Sequence, residues 1–160
     1  MRSLLFVLLL GVLSVAQAKT FVVEDIRLEG LQRVSAGTVF EQLTINPGDS
    51  VSSADLASAS GRLFATGLFN DLKIYRDGNV LIFQLVELPT ITEVSLEGNK
   101  QLPDEALMDS LKQNGIAEGQ VFKRATLERM ILEIERVYAA QGRYDAGSEI
   151  EVTPLPRNRV

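Results

Sequence analysis

The chain has 160 residues, 46% of them hydrophobic, and its 16 basic and 21 acidic side chains give a formal net charge of −5. With neither a basic run nor a basic amphipathic helix, this balance argues against nucleic acid or an anionic membrane surface as the main partner. Cysteine and histidine are both absent, which removes disulfide support, the usual zinc ligand, the usual general base and the usual pH switch together.

Leu4–Leu13 is an apolar run broken only by Gly11, and Ala16-Gln17-Ala18 follows it with small residues at the positions a signal peptidase reads. Residues 1–18 therefore read as a secretory signal cleaved before Lys19. The run falls short of the roughly 20 apolar residues that span a bilayer as a helix. It also inflates the hydrophobic content, and no later stretch is long and apolar enough to cross a membrane. An exported chain without cysteine must take its stability from packed cores.

Phe21–Leu28 reads as a strand, with Val22, Ile26 and Leu28 on one side, closed by Gly30. Val34-Ser35 followed by Val39, Phe40 and Leu43 predicts a short helix, with Ser35 as N-cap and Val34 stapled to Val39. Asn46-Pro47-Gly48-Asp49 is a turn by composition. A second helix from Ser52 or Ser53 carries Leu56, Ala59, Leu63 and Phe64 at helical spacing and stops at Gly67. Leu72-Lys73-Ile74-Tyr75 alternates as a strand, and Asp77-Gly78 is a strong hairpin signal. Val80–Leu88 is apolar apart from Gln84 and Glu87, as befits a strand flanked on both sides, and Pro89 ends it. The order is β-α-α-β-β.

The order then recurs. "IRLEGLQ" from Ile26 has a counterpart in "VSLEGNK" from Val94, and Gly30 and Gly98 stand 68 positions apart. Leu107, Met108 and Leu111 match Val39, Phe40 and Leu43 at the same offset, so a repeated module is expected. Within it Ile91–Leu96 reads as a strand, Gly98-Asn99 as a turn, Leu102-Pro103-Asp104 as a helix start and Asn114–Gln120 as a loop. A longer helix from about Thr126 carries Leu127, Ile131, Ile134 and Tyr138 and ends at Gly142. Glu149–Thr153 supplies the next strand and Leu155–Asn158 the next turn. The counterpart of Val80–Leu88 is missing, which makes the 160 residues read as a fragment of a longer chain.

Two joints share one pattern of aromatic, small pair, glycine and aromatic: "LFATGLFNDLKI" and "VYAAQGRYDAGSEIEV". Together with the Leu-Glu-Gly strand ends and the signal peptide, they resemble the POTRA (polypeptide-transport-associated) domains of bacterial outer-membrane assembly factors. The resemblance covers nearly all of the mature chain. It implies an α+β fold of tandem modules, each β-α-α-β-β with a three-stranded mixed sheet packed on two helices. The boundaries are a signal peptide at 1–18, a first module at 19–89 and a second, lacking its last strand, at 90–160. The resemblance further implies export to the periplasmic face of the outer membrane of a Gram-negative bacterium. The implied role is a scaffold that binds unfolded outer-membrane protein clients, periplasmic chaperones and assembly-complex lipoproteins. Membrane contact would come through a β-barrel that this sequence lacks.

A sheet edge offers unpaired N–H and C=O groups to any extended peptide. The hairpin strand is the expected edge, making Leu72, Lys73, Ile74, Tyr75 and Arg76 the candidate partner-binding residues. Leu72 and Ile74 should face the helices, with Lys73, Tyr75 and Arg76 outward or at the rim. The bland reading is that Lys73, Glu149 and Glu151 only guard edges against aggregation. No catalytic, cofactor-binding or metal-binding residue is assigned. Glu128, Arg129, Glu133, Glu135 and Arg136 read as a solvated helix face, and Asp49, Asp55 and Asp104-Glu105 as helix-start carboxylates. Asp77-Gly78-Asn79 lacks the further acids of a calcium loop. The alternatives are the POTRA region of a two-partner secretion transporter or division protein, and a carboxylate hydrolase, which the missing histidine and scattered acids disfavour.

Overall fold

A computed structural model describes residues 20–99, 102–145 and 147–160. The predicted signal segment lies outside the described residues. The first half of the described chain contains β1 (Phe21–Val22), β2 (Asp25–Glu29), α1 (Ala36–Gln42), β3 (Ser50–Val51), α2 (Ser53–Ala65), β4 (Phe69–Asp77) and β5 (Val80–Glu87); α3 (Asp104–Gln113) and α4 (Arg124–Ala140) follow.

The fold is α+β, built on a mixed three-stranded sheet in the order β2-β5-β4. β5 runs parallel to β2, with Asp25 opposite Val80 and Glu29 opposite Gln84, and antiparallel to β4, with Asp77 opposite Val80. Alternation along β5 sends Leu81, Phe83 and Leu85 into the core, where each is almost wholly buried. They meet Val39 of α1 and Ala59 and Leu63 of α2 in one cluster with Val23, Ile26, Val51 and Phe69. The apolar spacing read from the sequence thus forms the helix-facing layer.

Local chemistry sets the helix ends as expected. Ser35 Oγ accepts the Thr38 N–H at 3.1 Å, and Ser52 with Asp55 forms a reciprocal capping box at the start of α2. The β4–β5 turn centres on Gly78-Asn79, with φ of +59° at Gly78 alone. That matches a two-residue turn with glycine in its first central position. Gly30 takes φ of +84°, and a Cβ there would stand 2.1 Å from Leu85 O. The first Leu-Glu-Gly therefore ends in glycine because the chain passes against the backbone of β5.

Three expectations need correction. The single strand Phe21–Leu28 is two strands in different sheets, and Val22 is exposed while Val23 is wholly buried. Val23 leaves the main sheet because its backbone bonds Asp49 and Gly48 instead, at 2.9 and 2.7 Å. β3, which pairs with β1, was not expected at all. In the second half, Ile91–Leu96 and Glu149–Thr153 are not laddered strands; isolated bridges alone join Thr90 to Val121 and Arg159, and Leu155 to Arg159. Thr92 N–H bonds Val160 O as Glu24 N–H bonds Asn79 O, so Val160 stands where Asn79 does, just ahead of β5. No described residue occupies the place of β5, and the two outer segments have no common ladder partner.

The repeat nevertheless extends beyond the tripeptide. Ile91 N–H bonds Gln120 O and Gly119 N–H bonds Ile91 O, both at 2.8 Å, copying the Val23, Asp49 and Gly48 pattern. Ile91, Leu111, Ile116, Phe122 and Met130 form a second buried cluster. Between the clusters, Asn158 Nδ2 donates to Glu87 O and Leu88 O at 3.2 Å each, and Phe122 N–H donates to Pro89 O at 2.8 Å.

Candidate partner-binding edge

β5 takes the centre of the main sheet because its core-facing side chains pack on both helices, leaving β2 and β4 as borders. β4 is the longer border, at nine residues against five. Among the described residues no backbone bond joins Leu72–Arg76 to any segment other than β5. All five predicted residues therefore lie together on the middle of one open edge.

Their side chains divide by strand alternation. Leu72 and Ile74 are half-buried against the core cluster. Lys73 and Tyr75 stand on the face turned away from the helices, Tyr75 being 48% exposed with its hydroxyl 3.5 Å from Gln84 Oε1. Arg76 occupies the rim. Its guanidinium lies 4.0 Å from the Phe21 ring centroid, and Nε donates to Gly78 O at 2.6 Å, so this cation is occupied in pinning the hairpin to β1.

A two-residue turn makes Asp77–Val80 a hydrogen-bonded pair, after which paired and unpaired residues alternate along an antiparallel ladder. Leu72, Ile74 and Arg76 thus direct N–H and C=O groups away from β5. One of these donors is already taken, since Asp71 Oδ1 accepts the Leu72 N–H at 2.9 Å. The opposite border repeats this arrangement, with Asp25 Oδ1 accepting the Ile26 N–H at 2.9 Å. Neither aspartate was singled out from the sequence. The available signal was an aspartate directly before an outward-bonding residue of a strand.

A second group escaped the sequence reading. Glu87, at the end of β5, is only 6% exposed. Its carboxylate accepts the N–H groups of Gln32 at 2.7 Å, Arg33 at 3.0 Å and Val34 at 3.0 Å. It fixes the loop into α1 beside the Leu88-Pro89 junction. A lone charged residue closing a strand whose only other polar side chain is Gln84 was the legible hint.

Two shallow cavities, of about 250 and 300 Å³, lie off this edge; the larger is lined by Gly67 and Leu68 from the first half and by Gly115, Lys123 and Arg129 from the second. Among the described residues no group of three or more acids converges as a metal site, and no helix is long and apolar enough to cross a membrane.

Comparison with known proteins bears on this geometry. Residues 89–160 match the family model POTRA, described as a surface antigen variable number repeat. This stretch belongs to the POTRA family. The POTRA-bearing chain is 33% identical over 153 residues, 96% of its length, to the outer membrane protein assembly factor BamA of Neisseria meningitidis serogroup B. It spans 19% of that relative's length. Among solved structures it is similar to the N-terminal domain of Omp85 from the thermophilic cyanobacterium Thermosynechococcus elongatus, with a TM-score of 0.54 at 21% identity over 78% of this chain and 53% of that one. POTRA1-2 of the periplasmic domain of Omp85 from Anabaena gives a TM-score of 0.50 at 14% identity, covering 89% and 92%. At these identities the structural likeness establishes a shared fold.

Proposed function

We propose that the chain is a periplasmic binding region of an outer-membrane protein assembly factor, comprising POTRA modules at residues 19–89 and 90–160 behind a signal peptide at 1–18. Its β4 edge, centred on Leu72, Lys73, Ile74, Tyr75 and Arg76, takes an extended segment of an unfolded outer-membrane protein as an added strand. Chaperones and assembly lipoproteins dock on the remaining surfaces. The observation that carries this reading is the unpaired border of β4 in the order β2-β5-β4. The name of the Neisseria relative supports the assembly role over that of a secretion transporter or division protein.

The energetics suit a handover surface. About four added backbone bonds gain roughly 0.5–1.5 kcal/mol each, and the entropy cost of association offsets much of that sum. Dissociation constants of about 0.1 mM or weaker follow. Main-chain pairing reads extended shape, so many client sequences are accepted.

The test is an NMR titration of the full chain with a peptide from an outer-membrane β-strand. Shifts should concentrate at Leu72–Arg76. The same peptide N-methylated at alternate residues, so that its pairing edge has no donors, should produce none. Shifts confined to the outer faces of α1 and α2 would refute the edge reading.

A further inference from the structure

We infer that Asp71 is a stop on the β4 edge: by occupying the Leu72 N–H it limits an added partner strand to the stretch from Ile74 to Arg76. This inference rests on the reading of β4 as the client-binding edge and assigns a residue that sets the register and length of the bound segment.

An added strand grows by exchanging hydrogen bonds with each outward-facing residue in turn, here Arg76, Ile74 and Leu72. At Leu72 the donor already serves Asp71 Oδ1 at 2.9 Å. A bond to a carboxylate is stronger than the amide–carbonyl bond that would replace it, so exchange is unfavourable there. Immediately beyond, the ladder slips between Phe69 and Asp71, which breaks the regular spacing a partner would have to follow. At the other end Arg76 Nε donates to Gly78 O and the chain turns into β5. The usable rail is bounded at both ends by the chain itself.

The opposite border carries the same device, because Asp25 Oδ1 accepts the Ile26 N–H at 2.9 Å as β2 begins. The two aspartates differ in one respect. Asp25 also stands 3.7 Å from Arg27 Nε, whereas Asp71 has no ion pair among the described residues. A carboxylate blocking an outward donor on both borders is what sheet-edge protection requires. On β4 it leaves a gap of free donors and acceptors behind the block, and a short extended segment of an unfolded chain fits that gap.

The experiment uses the full chain, isotopically labelled, and an alternating Val-Thr octapeptide with a lysine at each end as probe. In the free wild-type protein the Leu72 amide should exchange with solvent more slowly than those of Ile74 and Arg76; equal rates would overturn the inference without recourse to any variant. Asp71→Ala should bring Leu72 to the rate of the other two and tighten peptide binding by about 2- to 10-fold, the worth of one added backbone bond. The Leu72 amide should then become protected in the complex. Asp71→Asn retains a side-chain oxygen in place but loses the charge that strengthens its bond, and should fall between wild type and Asp71→Ala. Equal tightening by Asp71→Asn and Asp71→Ala would overturn the stop in favour of simple charge repulsion. Unchanged or weaker binding by Asp71→Ala, with wild-type shifts still at Ile74–Arg76, would overturn the stop and leave the edge reading standing. No peptide shifts on wild type would remove both.

Discussion

Replacing Glu87 tests whether one carboxylate fastens the loop into α1. Its two oxygens accept the N–H groups of Gln32, Arg33 and Val34 at 2.7–3.2 Å while the residue is 6% exposed. A hydrogen bond to a charged group contributes roughly 1.5–3 kcal/mol, so three independent bonds would set a ceiling of about 5–9 kcal/mol for Glu87→Ala. Gln32 and Arg33 are exposed, and their freed donors would regain water. The expected loss is therefore about 2–4 kcal/mol, a large share of what a domain of this size possesses. Glu87→Gln keeps one acceptor oxygen but turns an NH2 group toward the backbone donors, and it should lose about half as much. Urea unfolding followed by far-UV circular dichroism measures both, and the wild-type m-value should be retained. Stability within about 0.5 kcal/mol of wild type for Glu87→Ala, the range of ordinary surface changes, would refute the reasoning.

Gly30→Ala combines a left-handed backbone with a Cβ 2.1 Å from Leu85 O, whereas Gly98→Ala, at φ of +76°, meets nothing within 4 Å. The first should cost about 3–5 kcal/mol and the second about 1–2 kcal/mol in denaturant unfolding; equal costs would show that the close approach to β5 is not tight. Arg62 Nε donates to Gln42 O at 2.8 Å and Nη2 to Thr44 Oγ1 at 2.5 Å. Arg62→Lys should lose about 1 kcal/mol, because a single ammonium cannot reproduce a forked donor, and thermal unfolding reads the change. Hydrogen bonds from the Ser52 hydroxyl and then the Ser52 backbone hold the Asp55 carboxyl below the usual aspartate range. A group whose pKa is lowered by folding stabilises above its unfolded value and loses that contribution as pH falls through its folded value. The capping box of α2 should accordingly weaken below about pH 4, visible as rising amide exchange at Ser52 and Asp55, and Asp55→Asn should abolish that dependence.

How much of this was legible in the sequence follows from the range of the forces involved. Ser35, Ser52 and Gly78 announce their caps and turn because those interactions close within a few residues. The periodic Leu81, Phe83 and Leu85 announce a buried face because alternation is a property of the strand itself. The sequence by itself thus determined the module type, the helix-backed face and the position of the Leu72–Arg76 hairpin strand. Tertiary structure decided the rest. Phe21 and Val22 could be assigned to a different sheet from Ile26 only once Ser50 and Val51 were beside them, and Ile91–Leu96 could ladder only with a central strand in place. Glu87 met its three donors across more than fifty residues of chain. Asp71 gained its meaning only when β4 became a border, because a backbone donor is free or blocked according to what lies next to it in space.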